Sequence, residues 1–139
     1  ALINNDGPMK LHKDQARELE ERRAKLYYFP ATKISLDVAG MDLATNMALM
    51  GCIGAITGLT NMAGLEQAVK DRFLGKGFVV SGGTAALDSV VERKFKKKQE
   101  LIEKNVAVMR AGWNYAVDHG WAASEVKRAE EPVAAAAAK

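Results

Sequence analysis

The sequence predicts a helix-rich α/β fold: a partial parallel sheet flanked by helices, completed by further strands from a missing N-terminal half or from a partner chain. Three observations carry this expectation. Two short apolar runs, residues 1–4 (ALIN) and 26–29 (LYYF), are separated by a charged helical stretch, which is the order of a βαβ unit with parallel strands. Two strands make a sheet too small to stand alone, so more are expected. The run from Leu43 to Leu65 contains no charged residue. A helix with almost no polar face has to be buried nearly all round.

The elements follow in chain order. Residues 1–4 read as a strand already in progress, because the chain opens on Ala1 without a preceding turn. Either a start residue was removed or the polypeptide is a piece of something larger. The stretch NNDGP stops the strand with residues that favour turns by local side-chain bonding, positive φ or fixed φ. Residues 13–25 predict a surface helix. Glu18–Arg22 and Glu21–Lys25 are i,i+4 pairs in the favoured order, and the apolar side is thin (Leu11, Ala16, Leu19, Leu26). Aromatic residues favour the second strand, 26–29, which ends at Pro30. Thr32 is expected to cap a helix over 33–39, closed by Gly40.

Asp42 is the expected cap of the apolar helix. Small residues (Ala44, Ala48, Gly51, Gly54, Ala55, Gly58) interleave with large ones (Met47, Leu49, Met50, Ile53, Ile56, Leu59), a pattern that lets other backbones approach closely. The window is long enough for a membrane span, and Gly54 with Gly58 forms a GxxxG pair. The strongly apolar part, 47–59, nevertheless covers only ~20 Å of a ~30 Å hydrocarbon layer. Thr45, Asn46, Thr57, Thr60 and Asn61 dilute the rest. We expect a buried soluble helix and no membrane span, with Asn46, Met47, Gly51, Gly54 and Gly58 as packing positions.

Asn61 is expected to cap a helix over 62–73 with Leu65, Ala68, Val69 and Phe73 on one face. A Gly-rich loop, 75–83, surrounds a short extended piece at 78–80, and Thr84 caps the next helix. Its apolar positions are Leu87, Val90, Val91 and Phe95, then Leu101, Ile102, Val106 and Met109, with a break expected near 96–98 and an end at Ala111–Gly112. Trp113, Tyr115 and Trp121 then anchor a tail on a surface, its own domain's or a neighbour's. The low-complexity piece 126–139 is expected to be disordered or weakly helical. The chain divides into a domain over 1–112 and an aromatic docking segment with its tail over 113–139.

Composition removes several function classes. Twenty cations against 17 acids give a net charge of +3, and aromatics are 6% of residues; both are poor for a nucleic-acid binder. The lone cysteine, Cys52, forms no internal disulfide, reads as a buried hydrophobe and suits a cytoplasmic setting. No secretory signal is expected, because the first segment lacks a basic head and a long apolar core. His12 and His119 are far apart, with no neighbouring ligand residue, so no metal site is expected. No nucleophile–base pairing has a recognisable context, so no catalytic residue is assigned. Gly75-Lys76-Gly77 lacks the ending of a phosphate loop. The turn SGGTAAL at 81–87 could hold an anion at a helix start, but ordinary capping accounts for it. The basic run Arg93, Lys94, Lys96, Lys97 and Lys98 reads first as a solvated face. The alternatives are a surface for an acidic partner, such as a small electron carrier, or for an anionic cofactor tail.

Four segments in order carry a resemblance: LYYFPATKIS, TNMALMGCIGAITGL, LEQAVKDRF and FKKKQELIEKNVAVMRAGW. They resemble the gamma subunit or gamma domain of the 2-oxoacid:ferredoxin (acceptor) oxidoreductases. The matching positions are Pro30-Ala31-Thr32 after a strand, Asn46 opening the small-residue helix, Leu65, Glu66, Ala68, Val69 and Phe73, and finally Asn105 with Arg110 to Gly112. The resemblance covers about residues 1–112. It implies a mainly structural subunit of a cytoplasmic, multi-subunit enzyme of anaerobic metabolism. Such enzymes decarboxylate a 2-oxoacid on thiamine diphosphate, pass electrons through iron–sulfur clusters to ferredoxin or NAD, and release acyl-coenzyme A. Cofactors are then expected on catalytic and iron–sulfur partner subunits, and none on this chain. The family's opening strand and Gly-rich turn, resembling GRGGQG, are absent, and the stretch 75–93 is longer than the usual connection. The alternative is a non-catalytic helical interaction module that binds through its Lys-rich face.

Overall fold

A βαβ unit opens the fold. The computed structural model describes residues 1–75 and 85–130, the side chains of 85–88 and 91 apart. β1 (Leu2–Asn4) and β2 (Tyr27–Phe29) run parallel, with Leu2 opposite Tyr27 and Asn4 opposite Phe29. The Tyr27 amide donates to the Ala1 carbonyl at 2.8 Å and the Asn5 amide to the Phe29 carbonyl at 3.1 Å, extending the ladder at both ends. α1 (Lys13–Glu21) is the crossover. It buries no residue, as its thin apolar side predicts. The Glu18–Arg22 pair forms at 2.7 Å. Glu21 pairs with Arg17 at 3.0 Å instead of Lys25, because the helix stops at Glu21 and Lys25 lies beyond the turn.

Four more helices follow: α2 (Ala31–Ala39), α3 (Thr45–Thr57), α4 (Met62–Leu74) and α5 (Ala85–Asp118). α2 starts two residues before its expected position, so Thr32 lies inside it. The cap comes from the neighbouring strand: the Asn4 side chain donates to the Thr32 hydroxyl at 2.9 Å and accepts the Thr32 amide at 3.3 Å. Gly40 closes α2 in the left-handed region (φ 68). The Asp42 side chain does not cap α3; its carbonyl accepts the Thr45 hydroxyl and amide instead. Asn61 caps α4 as expected, accepting the Gly64 amide at 2.8 Å.

The core forms where α3 crosses α5. A Cβ on Gly51 would lie 1.9 Å from the Met109 carbonyl oxygen, and one on Gly112 would lie 2.1 Å from the Ala48 carbonyl oxygen. The two helices thus approach backbone to backbone, each through the other's glycine. Ala48, Cys52 and Ala55 of α3 pack with Val108, Trp113 and Ala116 of α5, and β2 adds Phe29. A smaller cluster under α4 joins Val69 to Ile102, Val106 and Met109.

Four expectations are corrected. α3 is not buried all round: Asn46, Met50, Ile53 and Thr57 form an exposed stripe at helical spacing, so Asn46 is not a packing position. α5 shows no break near 96–98. It also runs through Gly112 to Asp118, because there Gly112 serves the crossing and not a helix end. Trp113 and Tyr115 therefore lie on the helix, and only Trp121 belongs to the segment after it. That segment, 121–130, is a strap held against α3 and α5, so the ordered structure extends past Val126. Residues 131–139, the extended piece at 78–80 and the Thr84 cap lie outside the described residues. Among the described residues no helix is long and apolar enough to cross a membrane.

Candidate functional site

The strap and the end of α3 enclose an open cleft of about 540 Å³. Gly58 ends α3 in the left-handed region (φ 64), which turns the chain into residues 59–61 and on to the α4 cap. Those residues form one wall, and 125–129 of the strap form the other, with Trp113 between them. Leu59 stands 89% exposed at the rim.

Polar side chains of α5 fix the strap. The Trp113 indole N–H donates to the Lys127 carbonyl at 2.8 Å. Asn114 takes both sides of one residue, donating to the Ala129 carbonyl at 3.1 Å and accepting the Ala129 amide at 2.7 Å. The Ala123 amide donates at 3.0 Å to the Ala55 carbonyl, which satisfies one of the open carbonyls at the C-terminus of α3. Arg128 pairs with Asp118. The Trp113 indole and the Lys127 and Ala129 backbone thus spend their hydrogen bonds on holding the strap, and the Asn61 side chain spends its own on the α4 cap. The cleft has room for a chain segment but, among the described residues, holds no nucleophile–base pair.

An aromatic group seals the other side of the strap. Trp121 lies 5.1 Å from Tyr27 and 5.5 Å from Tyr115, and Tyr115 meets Phe29 edge-on at 5.1 Å. The aromatic anchor expected from the sequence therefore seats on the chain's own sheet. Burial raises the pKa of the Tyr115 phenol, with smaller contributions from Cys52 and Asp6.

The two histidines and the cysteine stay apart, as their separation in sequence leads one to expect. His12 precedes α1, while His119 stacks on Tyr115 at 3.8 Å with its Nδ1 2.8 Å from the Tyr115 carbonyl. Cys52 is fully buried in the crossing, and burial pushes its thiol up to about 12, so it is no nucleophile at neutral pH. Among the described residues no group of three His, Cys, Asp or Glu side chains could hold a metal ion. Met47 and Gly54 do line the core, Gly54 facing Leu65 and Trp113 at 3.1 Å from its would-be Cβ. Arg93, Lys94, Lys96 and Lys97 are exposed on the first half of α5.

Sequence reasoning missed two interactions that tie elements together: the Asn114 clamp and a half-buried pair between Glu66 of α4 and Arg110 of α5. Both had a readable signal. Asn114 and Arg110 are polar residues inside the apolar register of a buried helix, where each needs a partner.

A family model described as pyruvate ferredoxin/flavodoxin oxidoreductase matches residues 1–89. The pyruvate/ketoisovalerate oxidoreductases common subunit gamma of Thermococcus litoralis is 31% identical over 75 residues, 54% of this chain and 38% of that protein. Its counterpart in Pyrococcus furiosus is 33% identical over 81 residues, 55% of this chain and 43% of that protein, and the Pyrococcus abyssi protein is 31% identical over the same length. The chain spans about two-fifths of the length of these curated relatives. No solved structure matches. The family match runs from β1 through α4 and into α5, across the very segments that build the sheet and one side of the crossing, and on that ground the chain belongs to the pyruvate ferredoxin/flavodoxin oxidoreductase family.

Proposed function

We propose that the chain is a gamma-type, mainly structural component of a cytoplasmic, multi-subunit 2-oxoacid oxidoreductase, and that its own residues carry no independent active site. The observation behind this reading is the family match over residues 1–89, together with gamma subunits as the curated relatives. The enzyme would decarboxylate a 2-oxoacid with thiamine diphosphate, form an acyl-coenzyme A, and send the electrons to ferredoxin or NAD through iron–sulfur clusters.

The donor set of the chain supports placing that chemistry on partner subunits. An iron–sulfur cluster is held by about four cysteine thiolates, and this chain has one cysteine, fully buried and held as the thiol. The residues present do not fit a cluster. The chain's contribution is a frame. Backbone contact at Gly51 and Gly112 fixes α3 against α5, and the exposed stripe with Met50 and Ile53 offers that frame a face for a neighbouring subunit.

The test is purification from the native source through a tag on this chain, with 2-oxoacid- and coenzyme A-dependent reduction of a viologen dye as readout. Pyruvate and 2-oxoisovalerate are the first substrates to try, following the names of the relatives. Recovery with larger subunits and that activity is the expected result. A monomer without such partners, with the cell's activity intact after deletion of the chain, would overturn the reading.

A further inference from the structure

Five of the chain's 20 cations and two of its 17 acids lie in residues 92–100. The remaining cations and acids are then equal in number, so the whole net charge of +3 sits on this one stretch of α5. Its surroundings change abruptly along the helix. From Glu92 to Leu101 no residue is buried, on any side of the helix. From Ile102 onward Asn105, Val106, Val108, Met109 and Gly112 are buried in turn. The first half of α5 therefore stands clear of the body formed by the described residues, for ~15 Å at ~1.5 Å per residue.

The two sides of this projecting half differ. At 3.6 residues per turn, Glu92, Lys96, Gln99 and Glu103 share one side, where Lys96 has a carboxylate one turn before it. The other side carries Val90, Arg93, Lys94, Lys97 and Leu101, with a single acid, Glu100, at its margin three residues after Lys97. Arg93, Lys94 and Lys97 make no ion pair among the described residues. Like charges one turn apart, such as Arg93 and Lys97, oppose helix formation. A free-standing half-helix of this length is itself marginal in water. Half-exposed Val90 and Leu101 bracket the cations along the helix.

We propose that the Val90–Arg93–Lys94–Lys97–Leu101 face of α5 docks an acidic protein surface that has apolar ground between its carboxylates. Charge complementarity selects that occupant: carboxylates placed along the helix relieve the repulsion between cations one turn apart, and apolar ground covers Val90 and Leu101. A lipid surface fits less well. Interfacial helices bury a continuous apolar face, and here Arg93, Lys94 and Lys97 interrupt it. A nucleic-acid partner would leave Val90 and Leu101 without contact. The inference rests on this surface alone and stands apart from the oxidoreductase reading.

The experiment measures binding by the full chain, alone or in whatever assembly it purifies with, to three probes. These are a glutamate–leucine copolymer, vesicles of phosphatidylcholine with phosphatidylserine, and duplex DNA. Two charge-reversed variants accompany it: R93E/K94E/K97E, and a control of equal charge change on α1 and the segment before it, K10E/K13E/R17E. Far-UV circular dichroism checks that helix content is unchanged in each. The expected result is copolymer binding that weakens by about tenfold or more in the α5 variant, as salt screening also does, and by less than about twofold in the control. Replacing Val90 and Leu101 with Ser should weaken it further at fixed charge. Equal losses in both charge variants, or tighter binding to vesicles or DNA than to the copolymer, would overturn the proposal.

Discussion

Single residues set how closely the two long apolar helices meet. Gly51 and Gly54 look alike in sequence, and both gain about 1 kcal/mol of helix propensity on change to Ala. Their surroundings differ. The new methyl at Gly51 would enter the Met109 carbonyl, at 1.9 Å, while at Gly54 it would touch the flexible Leu65 side chain and the Trp113 ring edge at 3.1 Å. Gly51→Ala is therefore expected to destabilise by about 2–3 kcal/mol net, and Gly54→Ala to stay within about 1 kcal/mol of wild type, in urea denaturation. Equal effects would show that the helices do not meet at Gly51. Cys52 offers a second residue-scale measurement. Its pKa in the folded state is raised from 9.0 to about 12 by burial, so the folded state holds the proton more tightly than the unfolded one. Its contribution is fully present below about pH 9 and is lost as pH climbs towards about 12. Cys52→Ala should flatten the first part of that decline, leaving the later part to which Tyr115, also raised from 10.0, contributes. A pH–stability curve that is identical in wild type and Cys52→Ala would contradict the burial of the thiol.

At the scale of elements, the strap depends on one helix. Asn114 accepts and donates to the same residue, Ala129, while itself buried. Asn114→Ala removes both bonds and leaves two backbone groups open, at a cost of about 1–3 kcal/mol. Limited trypsin digestion should then cut after Lys127 or Arg128 about tenfold faster than in wild type, since local opening becomes easier by that energy. An unchanged cleavage rate would mean that Trp113 and the Arg128–Asp118 pair hold the strap without it. The cap of α4 is a simpler case. Asn61→Ala should cost about 1 kcal/mol, and the loss should appear as faster amide exchange in the first turn of α4. Capping by Asn61 was legible from residue type and spacing alone. The cap of α2 was not, because its donor and acceptor, on Asn4, reach it through the parallel pairing of β1 with β2.

For the whole molecule, the open question is the sheet. The Tyr27 amide and the Phe29 carbonyl bond to β1, so the backbone groups of Tyr28 between them point to the other edge. Likewise those of Leu2 and Asn4 point away from β2. An edge of this kind is a template for another strand. If further strands complete the sheet in an assembly, the Tyr28, Leu2 and Asn4 amides should exchange quickly in the isolated chain. They should slow by about a hundredfold or more in the complex, in hydrogen-exchange mass spectrometry or NMR. Slow exchange only at Ile3, Tyr27 and Phe29 in both samples would show a sheet that stays at two strands.

Element order, the parallel pairing, the turn glycines and the Asn61 cap were all legible before any contact was known. These follow from local rules: turn chemistry, capping and the period of apolar residues. The sequence also carried the family, through motifs whose order survives without knowledge of contacts. Which glycine is a contact and which is an end depended on how the helices pack. Gly112 reads as a helix stop but lies at the α3–α5 crossing, because the Ala48 backbone occupies the place where its side chain would be. The same holds for the apolar run at 43–65. Its composition called for burial on every side. The structure buries the side with Ala48, Gly51, Cys52 and Ala55 and leaves Met50 and Ile53 exposed, since one crossing helix covers one face.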